Sequence, residues 1–257
     1  MGNLSFEPWF REALRCWGRS EVGLPGGVIS QHDVAEFLSS WLDTICCPVV
    51  NMQWERRMQE NETTHTVDRS SSTLPITLQF DSITVELPQY SFSALLRSWN
   101  QVDGMVAGIT QAAPCLCLHI DRYYHMQSTN RVLKSMAAFD PEDPCLVPYL
   151  VDDSIACEFL EYTPVALQAH LGVDQAGHFR TALRALDVEA AEQKTRWLLC
   201  DDWSRPVTHS DLPGWFLRGI NMVWVARTDL ITLYQIASSA DMSNQLLELL
   251  QGAQTLG

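Results

Sequence analysis

Period-two alternation, repeated in short runs with loops between them, most constrains how this chain can fold. In Ile76-Thr77-Leu78-Gln79-Phe80 and in Ile83-Thr84-Val85-Glu86-Leu87 apolar and polar residues alternate, so each predicts a strand with one buried face. Cys115-Leu116-Cys117-Leu118-His119-Ile120, bounded by Pro114, predicts another, as do Ala166–Leu171, Phe179–Leu183, Trp197–Cys200 and Met222–Ala226. The last of these runs are joined by loops and not by helices, which disfavours a doubly wound parallel sheet.

Helical spacing lies mainly before this series. Val34, Phe37, Leu38, Trp41, Leu42 and Ile45 fall on one stripe of a helix that Ser30 can cap and Pro48 follows. A shorter helix-like stretch spans Trp9 to Trp17, and Gly23 to Gly27 give a loop signal. Phe92, Leu95, Leu96 and Trp99 also have helical spacing. Residues 55–73 are polar and Ser/Thr-rich and predict a loop or an irregular hairpin. Leu230 to Leu250 predicts one or two amphipathic helices. Helices first and antiparallel strands later predict an α+β domain.

Charge narrows the partners. The formal net charge of −14 repels phosphate backbones, so nucleic acid is not expected to bind. Such a charge either favours a partner with a basic surface or keeps the protein in solution. No apolar run reaches bilayer-spanning length, and Glu7, Arg11, Glu12 and Arg15 interrupt any secretory core. The expectation is a soluble intracellular protein, cytoplasmic or nuclear, with no membrane partner. Eight cysteines in 257 residues are too sparse for a disulfide scaffold and predict mostly buried thiols. Cys46 and Cys47 are adjacent, Cys115 and Cys117 are two apart, and no C-x-x-C occurs. No structural metal and no cofactor are therefore expected.

The densest chemical signal lies in the last third. Gly177-His178-Phe179 opens one predicted strand and Asp201-Asp202 closes the next. If the two pair as a hairpin, the start of the first lies beside the end of the second, and His178 meets Asp201. Histidine titrates near neutral pH, and a carboxylate on one ring nitrogen fixes its tautomer and stabilises the imidazolium. Gly177 would permit close approach of a substrate backbone. The same residues also suit a surface histidine in a turn and an aspartate pair at a strand end, and spacing leaves both readings open.

Several motifs point further. Tyr162-Thr163-Pro164-Val165-Ala166-Leu167-Gln168-Ala169-His170-Leu171-Gly172, then Gly177-His178-Phe179, then Trp197-Leu198-Leu199-Cys200-Asp201-Asp202 resemble the histidine box of the ubiquitin-specific proteases. Gln31-His32-Asp33-Val34-Ala35-Glu36-Phe37-Leu38 resembles that family's Gln-Gln-Asp helix. Pro114 to Tyr123 resembles its strand ending in Lys-Arg-Phe, and Met222 to Arg227 its closing strand. The matches occur in family order over residues 31–227.

The resemblance implies a papain-like cysteine-protease fold of the ubiquitin-specific type: α+β, with N-terminal helices and a largely antiparallel sheet. It implies a catalytic domain over 1–227 and a helical extension over 228–257. His178 would be the general base, Asp201 would orient it, and Asp202 would support the site or help stabilise the developing oxyanion. Substrate contacts would come from Gly177, Phe179, Asp33 and Glu36. The two acids lie three residues apart on one helix face and would hold the arginine-containing tail of ubiquitin; Asp33 also fits a cap near Ser30, and Glu36 a solvated face. The family's Asn-x-Gly-Asn-x-Cys-Tyr segment has no counterpart before Gln31, and Cys16 lacks its flanking residues. The domain is thus expected to be N-terminally incomplete. The implied function is thiol-dependent hydrolysis after the C-terminal glycine of ubiquitin, or of a ubiquitin-like protein, once an upstream nucleophile is supplied. The alternative is a non-catalytic ubiquitin-binding pseudo-deubiquitinase.

Overall fold

A computed structural model describes residues 52–60, 63–72, 75–173, 176–186, 196–201 and 204–238. In chain order the strands are β1 (Met52–Glu60), β2 (Thr63–Ser72), β3 (Ile76–Gln79), β4 (Gln101–Val102), β5 (Met105–Gln111), β6 (Cys115–Asp121) and β7 (Tyr123–Met126). They continue as β8 (Arg131–Lys134), β9 (Cys145–Leu150), β10 (Cys157–Val173), β11 (Ala176–Arg184), β12 (Trp197–Asp201), β13 (Ser204–His209) and β14 (Ile220–Arg227). Helix α1 (Phe92–Asn100) precedes β4, α2 (Gly214–Gly219) precedes β14, and α3 (Thr228–Ser238) follows it.

The 17-residue strand β10 is the spine. One edge pairs with β9 through Cys157–Tyr162 and, further along, with β11 through Ala166–Val173. Its other edge pairs with β14, which leads to β6 and then β3. Two arms therefore leave the same side of β10: β9-β5-β1-β2 and β11-β12-β13. Nearly all pairings are antiparallel; β3 with β6 and β5 with β9 are parallel.

The alternating runs become strands for the reason their pattern gives. In β3, Ile76 and Leu78 are buried while Thr77 and Gln79 are exposed. Helix α1 begins where the Ser91 hydroxyl accepts from Ala94 N at 3.1 Å. It buries Phe92, Leu95 and Leu96, and Phe92 stacks on Phe139 with centroids 4.6 Å apart. Trp197, Tyr162, Phe92, Phe139 and Phe216 are the largest fully buried side chains of this core. Each such residue contributes on the order of 2–3 kcal/mol relative to an exposed one. Arg122 is also buried and donates to the carbonyls of Ile220, Ser135 and Ala137, tying β6 to the start of β14.

One expectation changes. Ile83 to Leu87 is not a strand: Thr84–Glu86 form a 3₁₀ turn. Asp81 Oδ1 accepts from the N–H groups of Ile83 and Thr84 at 2.9 and 2.7 Å, a local bond that competes with a ladder. Only Val85 of the apolar residues is buried, and Ile83 is 78% exposed. Of the two readings of residues 55–73, the irregular hairpin holds: they lie mostly in β1 and β2. These strands form an irregular hairpin with a bulge between Arg56 and Arg57, so the loop reading falls. The predicted early helices of residues 9–17 and 30–45 lie outside the described residues, as does the tail beyond Ser238. Among the described residues no helix is long and apolar enough to cross a membrane, and no group of three or more His, Cys, Asp or Glu side chains could hold a metal ion.

Candidate functional site

The hairpin register builds the site. In β11 and β12, Arg184 faces Trp197 and Thr181 faces Cys200, so the next rung sets Arg180 opposite Asp201. His178 lies two residues before Arg180 and shares its face of the sheet. A register shift between β12 and β13 falls between Leu199 and Asp201, and such irregularities re-aim a side chain at a strand end.

His178 Nε2 lies 2.8 Å from Asp201 Oδ1. Arg180 lies 2.8 Å from Asp201 Oδ2 through its terminal nitrogen. One carboxylate thus spans an imidazole and a guanidinium, each in charge-assisted geometry. The Asp201 side chain is 12% exposed and the His178 side chain 33%, which leaves the carboxylate shielded and the ring reachable. A neutral imidazole that donates its Nε2 proton to the carboxylate carries its lone pair on Nδ1. The arrangement can therefore accept a proton at Nδ1 while Asp201 holds the ring.

The other residues singled out in the sequence fall elsewhere. Phe179 follows His178 and points to the opposite sheet face, where its ring meets that of its cross-strand partner His170 at 4.7 Å. Gly177 shares that face. A Cβ built there would lie 2.2 Å from His170 Nε2 and 2.6 Å from Leu171 O. The close approach that this glycine permits is thus made by the protein's own β10. Asp202, Asp33 and Glu36 lie outside the described residues.

Sequence reasoning missed Arg180 and Trp215. Trp215, on α2, stacks under Arg180 with the guanidinium carbon 4.8 Å from its ring centroid. The available signal was Arg180 itself, two residues after His178 and so on the same face.

The described thiols are poor partners for His178. Cys115 faces Ala226, which in turn faces Thr163, eight residues along β10 from Leu171, the partner of His178. Cys117 and Cys145 are buried, and desolvation pushes both thiols well up from their ordinary values. Desolvation also raises Cys157. Cys200 directly precedes Asp201 and so lies on the other face of β12.

No protein-family profile and no curated protein matches the sequence. Solved structures do match. A SAGA DUB module of Ubp8, Sgf11, Sus1 and Sgf73 contains a chain that is 14% identical, with a TM-score of 0.58 over 88% of this chain and 55% of that one. The module bound to monoubiquitin gives 13% identity and a TM-score of 0.56 over 85% and 53%. The chain spans about half the length of the solved chains it matches. At these identities the likeness is one of fold, and it is to the fold of ubiquitin-specific proteases.

Proposed function

We infer that this chain carries the base half of a thiol-dependent site acting on ubiquitin or a ubiquitin-like protein. The observation that carries the reading is the 2.8 Å contact between His178 Nε2 and Asp201 Oδ1, on a fold like that of deubiquitinases. In the proposed reaction His178 Nδ1 takes the proton of a cysteine thiol, and the thiolate attacks the carbonyl carbon of a C-terminal glycine. The tetrahedral oxyanion collapses, Nδ1 returns its proton to the leaving amine, and a thioester remains. Water, deprotonated by the same nitrogen, then releases the acid and restores the thiol. Throughout, the Nε2 proton stays with Asp201. Asp202 would support the oxyanion, and Asp33 and Glu36 would bind the basic tail of the substrate. In this reading the nucleophile comes from outside the described residues.

The test uses a fluorogenic ubiquitin substrate and a ubiquitin-binding assay. Both are applied to the 257-residue chain and to the chain extended by the coding sequence upstream of Met1. Turnover that His178→Ala abolishes while binding persists supports the reading. Binding without turnover in both forms supports a non-catalytic ubiquitin-binding module instead. Neither binding nor turnover overturns both.

A further inference from the structure

We propose that Arg180, held by Trp215, is a positioning residue that fixes Asp201 for His178; this rests on the reading of His178 as the base. A carboxylate that holds a ring through one oxygen is still able to swing about its own bond. Here the second oxygen is tied to Arg180 at 2.8 Å while the first meets His178 at 2.8 Å, so a rotation that improves one contact breaks the other. The plane of Asp201 is set by the pair.

An arginine on a strand is a flexible arm, and ordering it costs rotamer entropy. Trp215 offsets that cost by offering a flat cationic platform 4.8 Å from the guanidinium carbon. The platform is itself fixed. Its neighbour Phe216 is fully buried. Gly219, at the end of α2, sits so close to β10 that an added Cβ would meet His170 O and Leu171 Cδ2 at 3.1 Å. Helix α2 is thereby pressed on the strand that pairs with β11. Among the described residues Arg180 Nε is buried with no hydrogen-bond partner. Trp215 also remains 41% exposed, an unusual setting for a tryptophan whose only task is packing.

The test reads His178 directly. The full chain is labelled with ¹⁵N-histidine, and the seven histidine rings are observed by long-range ¹H–¹⁵N correlation, with His178 assigned from its loss in His178→Gln. The wild-type ring is expected as a single tautomer with the proton on Nε2. Arg180→Gln and Trp215→Ala are expected to move both ring nitrogens toward averaged shifts, as Asp201→Asn does, while Arg180→Lys keeps most of the wild-type pattern. An arginine that merely supports the fold would lower the melting temperature and leave the tautomer signature in place. Wild-type ring shifts in folded Arg180→Gln, with altered shifts in Asp201→Asn, overturn the proposal. Should Arg180→Gln fail to fold, Trp215→Ala, at an exposed position, decides by the same criterion. Failure of the protease reading is separate: it shows as absent ubiquitin turnover, with or without binding, whatever the ring shifts do.

Discussion

Replacing Gly177 by alanine perturbs the rung beside His178 and nothing else in composition. The added Cβ would fall 2.2 Å from His170 Nε2 and 2.6 Å from the Leu171 carbonyl, where ordinary contact begins at 3.4 Å. The imidazole is a side-chain tip and can turn aside at modest cost. The carbonyl belongs to β10, which pairs Leu171 with His178 and Gly172 with Gly177. Relieving that contact requires roughly 0.8 Å of separation (3.4 less 2.6 Å) between two paired strands. Overpacking of this kind costs about 1–3 kcal/mol, which for a domain of this size lowers the melting temperature by about 2–12 °C. Thermal unfolding followed by circular dichroism reads the loss, and the His178 ring shifts read the displacement at the site. The double variant with His170→Ala separates the two clashes: it should recover part of the loss and leave the carbonyl's share. An unchanged melting temperature in Gly177→Ala, or complete recovery in the double variant, would refute the backbone argument.

Three further outcomes follow from the same structure. Tyr162 is fully buried and its hydroxyl donates to Ala113 O at 2.8 Å; Tyr162→Phe orphans that carbonyl and should cost about 1–2 kcal/mol in urea unfolding. Arg122→Met strands the carbonyls of Ile220, Ser135 and Ala137 together and should cost more than about 3 kcal/mol; an effect below about 1 kcal/mol would mean that water or a backbone shift rescues them. Two aspartates should show opposite pH behaviour. The Thr84 N–H holds the Asp81 carboxyl below its ordinary value of 3.8, so its contribution is present above that value and lost as pH falls through the lower folded one. Burial, and then Asp140, hold Asp143 above 3.8, so its cost is present near neutral pH and relieved as pH falls. Asp81→Asn should therefore destabilise near neutral pH and Asp143→Asn stabilise, with both differences shrinking on acidification; the same sign for both would contradict the assignment.

The strands that were legible are those with one face buried. In β3 Ile76 and Leu78, and in β6 Leu116, Leu118 and Ile120, mark the core side, whereas in β11 the core residue is Ala182 and Leu183 is 43% exposed. The strands that were not legible lack that contrast. β2 has no apolar stripe, and each of its described side chains from Thr63 to Arg69 is exposed or only partly buried. β9, Cys-Leu-Val-Pro-Tyr-Leu, is largely buried along its length and carries Pro148, which argues against a strand in sequence. One turn between strands is readable in the sequence: Asp103-Gly104 between Val102 and Met105, with φ of 53° and 76°, is a dipeptide that tight hairpins favour. At Ile83 to Leu87 the alternation is real, but the bonds that Asp81 accepts from Ile83 N and Thr84 N decide the local structure.

The site shows the same division between what a pattern can encode and what only packing supplies. His178 and Asp201 were readable because a hairpin brings its two ends together whatever the side chains are. Arg180 was readable only as a neighbour on the same face, since pairing with Asp201 depends on the register set at Thr181 and Cys200. Trp215 was not readable at all. It reaches Arg180 because Phe216 and Gly219 seat α2 against β10, a contact without sequence periodicity. The orientation of the His178 ring is thus determined in three steps of rising range: strand alternation for its face, hairpin register for its carboxylate, and helix docking for the arginine that steadies that carboxylate. A substitution at the third step, far from His178 in sequence, should therefore act on the ring before it acts on the fold.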